Sequence, residues 1–150
     1  MSSFAHLHVH TQYSILDGAS NISLLIDRVK ALGMEAVAIT DHGNMFGVKE
    51  FHSTALKKGI KPVIGCEIYV AKRSISDTSG KEDRSGDHLI LLAKNLKGYK
   101  NLVKLVSTAW IKGFYYKPRI DKALLAQYRE GLIASSACLA GEVQDEILNG

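Results

Sequence analysis

Short apolar runs alternate with helical stripes along most of this chain. Over residues 5–9 the period is two, which predicts an extended strand. Leu7 and Val9 then face one way, and His6, His8 and His10 the other. Ile22, Leu25, Ile26 and Val29 recur at helical spacing, and Gly33 stands where such a helix ends. Residues 36–40 form a continuous apolar run, as expected of a strand covered on both faces. A helix follows over 46–58 with Val48, Phe51 and Ala55 inward, and then a strand over 62–70. Residues 72–86 hold almost no apolar side chain apart from Ile75, which predicts a mobile surface loop. A strand over 88–93 and a helix over 98–110 follow, the helix with Leu102, Leu105, Val106 and Ala109 on one face. Residues 114–119 make an aromatic and basic connector. A helix over 121–128 with Asp121 as N-cap, a strand over 132–136 and a helix from Gly141 complete the pattern.

Alternating strands and helices predict an α/β domain with a mostly parallel sheet. A closed (β/α) barrel usually takes about 250 residues. With 150 residues, the chain is expected to be either a small open sheet or the first part of a longer domain.

Composition narrows the class. Hydrophobic residues make up 46% of the chain, and the mean hydropathy is near zero. No apolar run approaches the roughly 20 residues of a membrane span, and the N-terminus lacks a signal-peptide pattern, so a cytoplasmic protein without membrane contact is expected. The formal charge of +4 permits an anionic partner without requiring one. Cys66 and Cys138 are expected to be thiols rather than a disulfide.

Candidate chemistry collects at strand ends, where α/β proteins place their functional residues. His8 and His10 end the first strand and Asp41-His42 the second; Glu67 interrupts the apolar third, and Cys138 follows the last. Each has a plain alternative. Asp41 could cap the next helix, Glu67 could pair with a buried cation, and Cys138 could be a small apolar residue. Together, buried imidazoles and carboxylates converging at one sheet end require compensation, which divalent cations supply. His88 lies at the start of its strand, the wrong end of a parallel sheet, so either the strand is drawn differently, or its direction is reversed locally, or His88 is not a ligand. No phosphate-cradling glycine loop and no GxSxG elbow is present.

Three motifs, His6-Leu7-His8-Val9-His10-Thr11, Ile39-Thr40-Asp41-His42-Gly43-Asn44 and Gly65-Cys66-Glu67, closely resemble the PHP (polymerase and histidinol phosphatase) domain. Further stretches are similar to the form found at the N-terminus of bacterial replicative DNA polymerase alpha subunits. They are Tyr13-Ser14-Ile15-Leu16-Asp17-Gly18, Gly59-Ile60-Lys61-Pro62-Val63-Ile64-Gly65, His88-Leu89-Ile90-Leu91-Leu92-Ala93-Lys94-Asn95, Gly98-Tyr99-Lys100-Asn101-Leu102 and Gly131-Leu132-Ile133-Ala134-Ser135-Ser136. The resemblance implies a distorted, TIM-like (β/α)7 barrel, of which residues 1–150 would be the N-terminal, incomplete part. It implies a metal centre of up to three zinc or manganese ions, with His8, His10, Asp17, His42, Glu67, His88 and Cys138 as ligands and a last Asp-X-His pair beyond Gly150. A fragment lacking that pair is expected to bind metal weakly. His6 stands where many relatives have Asp.

Implied activities are metal-dependent phosphodiester hydrolysis, in particular 3′–5′ exonuclease action. The ions would supply the nucleophile, because no independent general base is visible. Lys117 and Arg119 could contact a phosphate. The alternative is a metal-stabilised scaffold that docks a separate proofreading exonuclease subunit. Implied partners are DNA, that exonuclease subunit and the sliding clamp, with Mg2+ serving a polymerase core outside this chain. Self-association through exposed strand edges is also expected.

Overall fold

The computed structural model describes residues 4–149. Its elements run α1 (Ile22–Ala31), β1 (Ala36–Ile39), α2 (Val48–Lys58), β2 (Lys61–Val70), a 3-10 turn (Glu82–Arg84), β3 (Asp87–Ala93), α3 (Leu96–Ile111), β4 (Phe114–Tyr115), β5 (Lys117–Ile120), α4 (Lys122–Tyr128), β6 (Leu132–Ser135) and α5 (Glu142–Asn149). Three helices begin where a side chain satisfies backbone donors that a first turn leaves open. Asn21 accepts from Ser23 and Leu24, Asn95 from Gly98, and Asp121 from Leu124.

The sheet is organised on β2. One edge of β2 pairs antiparallel with β3, from Gly65 opposite Leu92 to Val70 opposite Asp87. The other edge pairs parallel with β1 over its first half and with β5 at its end, through Tyr69–Arg119 and Val70–Ile120. β6 adds antiparallel to β3, and β4 folds back on β5 as a hairpin. The sheet is therefore mixed, not mostly parallel. Between β2 and β3 the chain supplies a polar loop instead of a helix, and without a crossover helix the strand returns antiparallel.

The change of partner along β2 opens a fork. At Gly43 the chain leaves the edge of β2 with φ +62°, and β5 takes its place. A Cβ on Gly43 would stand 2.7 Å from Pro118 Cγ, so only glycine lets the two segments share that edge.

One sheet face is closed by helices. Val37 and Ile39 pack with Ile22, Ile26 and Phe51 of α1 and α2. Cys66, Ile68 and Val70 pack with Leu102, Leu105 and Ala109 of α3. Glu67 and Tyr69, alternating with those residues along β2, point to the opposite face.

Three local expectations change. Residues 5–9 run beside β1 without forming a regular strand, because Ala38 N–H bonds His6 O while Thr40 N–H bonds Val9 O, an interval of two residues against three. The extra residue breaks the alternation, so Leu7 is exposed while Val9 packs on the core. Residues 114–119 are the β4–β5 hairpin, not an irregular connector. The 72–86 loop is strapped down. Fully buried Arg119 donates to the carbonyls of Ile75, Asp77 and Asp83, and Arg73 pairs with Asp83. This role withdraws Arg119 as a phosphate contact. Among the described residues no helix is long and apolar enough to cross a membrane.

Candidate metal centre

Glu67 is the hub of the histidine cluster. Its side chain is 1% exposed, and its two oxygens serve different sets of imidazoles. Oε2 lies 2.6 Å from His8 Nε2 and 3.5 Å from His10 Nε2. Oε1 lies 2.7 Å from His42 Nδ1 and 2.8 Å from His88 Nδ1. Asp17 Oδ2 stands 3.0 Å from the other nitrogen of His42. Cys138 Sγ stands 3.4 Å from His88 Nδ1. Five of the seven residues singled out in the sequence form two groups that share Glu67, His8–His10–Glu67 and His42–Glu67–His88, each with ligand atoms within 4.8 Å of one another. Cys138 and Asp17 touch the groups at their margins. His6 lies outside both, against Phe4.

Strand direction brings His88 in. β3 is antiparallel, so its first residues lie beside the end of β2, with His88 opposite Tyr69. His42 arrives through the β1–β2 pairing, extended by one bridge to Glu67 and locked by Gly43 N–H to Glu67 O at 2.7 Å. His10 and His42 stack with ring centres 3.9 Å apart.

Asp41 is not a helix cap. It is buried and accepts from Thr11 N at 2.6 Å, Thr11 Oγ1 at 2.8 Å and Ser14 Oγ at 2.8 Å. It ties the segment between His10 and Asp17 to the end of β1. Tyr69 escaped the sequence reading, although its position two residues after Glu67 put it on the same face. Its ring packs on His42 and edge-on to His88. Burial and the nearby Glu67 charge push its phenol up to about 12.

The electrostatics suit a cation. Burial pushes the Glu67 carboxyl up, but its contacts with His42 and His88 outweigh burial and hold it well below the usual carboxylate range. His10 is held below the ordinary imidazole value by burial and by His42. Its contact with Glu67 raises His42. Glu67 Oε1 and His42 Nδ1 are close yet poorly aligned, and with His10 Nδ1 they are buried without a hydrogen bond. Such buried polar atoms cost about 1–3 kcal/mol each when left unmet. A carboxylate between imidazole pairs, with a thiol and a second carboxylate at the margin, matches the donor chemistry of divalent transition metals.

This combination, an α/β sheet with a histidine and carboxylate cluster on its open face, defines a candidate metallohydrolase-type domain. Comparison with known proteins identifies the family: the PHP domain matches residues 6–150, and the chain belongs to it. The chain is 54% identical over 140 residues to DNA polymerase III subunit alpha of Helicobacter pylori, covering 93% of this chain and 11% of that protein. It is 54% identical over 149 residues to the protein of the same name from Treponema pallidum, covering 99% of this chain and 13% of that one. The matched region is thus about an eighth or less of those relatives' length. A solved structure from Bifidobacterium adolescentis, named as a candidate metal-dependent phosphoesterase, shares the fold at TM-score 0.50 and 21% identity, over 72% of this chain and 34% of that one.

Proposed function

We propose that the chain is the PHP region of a bacterial replicative DNA polymerase alpha subunit, and that its own centre hydrolyses a phosphodiester of DNA as a 3′–5′ exonuclease. The observation that carries the hydrolytic reading is the shared carboxylate. Glu67 offers one oxygen to each of two ligand groups, as a bridge between two cations does. The ligands on this reading are His8, His10, Asp17, His42, Glu67, His88 and Cys138. Zinc and manganese both suit such a set, and the marginal thiol favours zinc.

Divalent cations held there would neutralise a bound phosphate and lower the pKa of an attacking water. The chain's own groups do the rest. Glu67 sets the spacing of the two groups. Asp41 holds the His10–Asp17 segment in place through Thr11 and Ser14. Tyr69 walls the histidines from one side. The polymerase assignment is supported by the 54% identity to two alpha subunits. On that reading residues 1–150 are the first part of the PHP domain. The protein works on DNA in the cytoplasm beside the exonuclease subunit and the clamp, and Mg2+ serves the polymerase core.

The test uses the full-length protein and the His8→Ala/His10→Ala variant, loaded with zinc or manganese. Metal content, melting temperature and cleavage of a single-stranded oligonucleotide are measured. The expected result is loss of bound metal and of cleavage in a variant that remains folded. A parent protein that binds metal yet cleaves neither the oligonucleotide nor a simple phosphodiester with either ion overturns the hydrolytic reading.

A further inference from the structure

A cleft of about 460 Å3 that includes Asp17, His42 and His88 is also lined by Phe46, Trp110, Phe114 and Tyr116. These four rings are 66%, 44%, 54% and 62% exposed, so they do not serve the core. Three of them, Trp110, Phe114 and Tyr116, nevertheless have defined partners. Trp110 and Phe114 stack at 5.4 Å and 19°. The Trp110 indole N–H donates to Gly43 O at 2.7 Å, one residue from His42. Tyr116 is the single residue between β4 and β5, with φ +59°. A bulky side chain seldom adopts that left-handed conformation, and such strain concentrates where a side chain is held out for use. Lys117 follows, its ammonium 5.4 Å from the Tyr69 ring, and Arg84 lies 5.2 Å from the Tyr116 ring.

We propose that Trp110, Phe114 and Tyr116 form a stacking subsite for a nucleobase of single-stranded DNA, with Lys117 receiving the adjoining phosphate. The proposal rests on the phosphodiesterase reading and specifies what that cleft selects. A base has a π-face that any aromatic ring can stack, whatever its sequence, and fixed cations beside the rings follow the backbone. Paired bases in a duplex already have their faces covered, so the subsite selects an unpaired end. A small phosphate ester without a base would gain nothing from three exposed rings. An apolar peptide could cover the same rings, but it would have no use for the lysine.

Trp110 is the one tryptophan of residues 1–150, so its emission reports this wall. The full-length protein is titrated in EDTA with a thymidine trinucleotide and with an abasic trinucleotide carrying the same phosphates, and the part of the emission signal lost in Trp110→Phe is read as that of this wall. The expected result is saturable quenching by the first and roughly tenfold weaker binding of the second, the scale of one base stacked on an aromatic ring. Phe114→Ala and Tyr116→Ala, both at exposed positions, are expected to weaken thymidine binding about tenfold while far-UV circular dichroism is unchanged. Lys117→Ala is expected to weaken binding and flatten its salt dependence. Equal affinity for the two trinucleotides, absence of quenching, or unchanged affinity in both ring variants overturns the proposal, as does tighter binding of an apolar peptide. Binding is read without metal, so its failure leaves the hydrolytic reading standing. Quenching in a protein that hydrolyses nothing keeps the subsite and removes that reading instead.

Discussion

Asp41 makes the sharpest mutational prediction because it touches no candidate ligand side chain yet governs where two of them stand. It is 2% exposed and accepts three hydrogen bonds, two from Thr11 and one from Ser14, themselves 0% and 3% exposed. Asp41→Ala leaves three buried donors without an acceptor and without room for bulk water. Hydrogen bonds to a charged group contribute about 1.5–3 kcal/mol each, and losses within one cluster fall short of additive. A loss of about 4 kcal/mol follows. At roughly 2–4 °C per kcal/mol for a chain of this size, the melting temperature drops by about 10 °C. Asp41→Asn keeps one oxygen for Thr11 N and Ser14 Oγ, and the Thr11 hydroxyl can turn to accept from the new amide, so its cost is about 1–2 kcal/mol. Both variants keep every candidate ligand, yet zinc affinity should fall in the same order as stability, because the segment carrying His10 and Asp17 loses its tether. Differential scanning calorimetry and a competitive zinc titration read the two quantities. A drop under about 3 °C for Asp41→Ala, or loss of stability with zinc affinity unchanged, refutes the tether.

Other consequences are simpler. Phe51 is 0% exposed at the centre of the α1–α2 cluster, so Phe51→Ala should cost about 3–5 kcal/mol in urea unfolding; a cost under 1 kcal/mol would mean that the cluster is not a packed core. Arg119→Met keeps length and loses the donors to Ile75, Asp77, Asp83 and Gly113, so limited proteolysis within 72–86 should rise sharply; an unchanged cleavage pattern speaks against the strap. The Asp83 carboxyl is held below its ordinary value by Arg73, so its stabilisation is complete above about pH 4 and is lost only as pH falls through the lowered value. The melting-temperature gap between the parent and Asp83→Asn should therefore be flat from pH 7 to 5 and close below about 4; a gap that has closed by pH 6 contradicts the pairing.

Residue type and spacing made the helices legible, because their signals are local. Asp121 caps its helix as its position implied, and Ile22, Ile26 and Val29 lie on a buried stripe as their spacing implied. His8, His10, His42, Glu67 and His88 were legible for a similar reason: imidazoles and carboxylates stand out against apolar runs, whereas Asp17 was implied as a ligand only by the resemblance to the PHP family. Strand pairing was not. Nothing within residues 88–93 records whether their partner runs the same way or the opposite way, since both directions bury the same apolar side chains. Reading the sheet as parallel therefore set His88 at the far end from His42, and the antiparallel register of β3 removes the conflict. Arg119 misled in a related way. A basic residue beside aromatics reads as a surface contact, but its donors all go to the backbone, and the elements that surround it come from residues 75, 77, 83 and 113.

Asp41 and Tyr69 show what the centre adds to its ligands. A ligand set fixes which cation chemistry is available; the geometry comes from groups that hold the ligand-bearing segments together. Here those segments come from five places in the chain: the irregular stretch before α1, the exit of β1, the end of β2, the start of β3 and the turn after β6. Only β2 and β3 are joined by a long ladder of backbone bonds. The stretch with His8 and His10 has two backbone bonds to the β1 segment and a third through Thr40 Oγ1. Its regular pairing is broken by one extra residue, so side chains must supply the missing constraint. Asp41 does so with three bonds at the point where the histidines meet the loop to Asp17. The cluster is therefore expected to loosen first at its N-terminal side, with His8 and His10 losing their cation before His42 and His88. A two-phase zinc release under a chelator, with the weaker phase abolished in His8→Ala/His10→Ala, follows from this ordering; a single phase in the parent protein contradicts it.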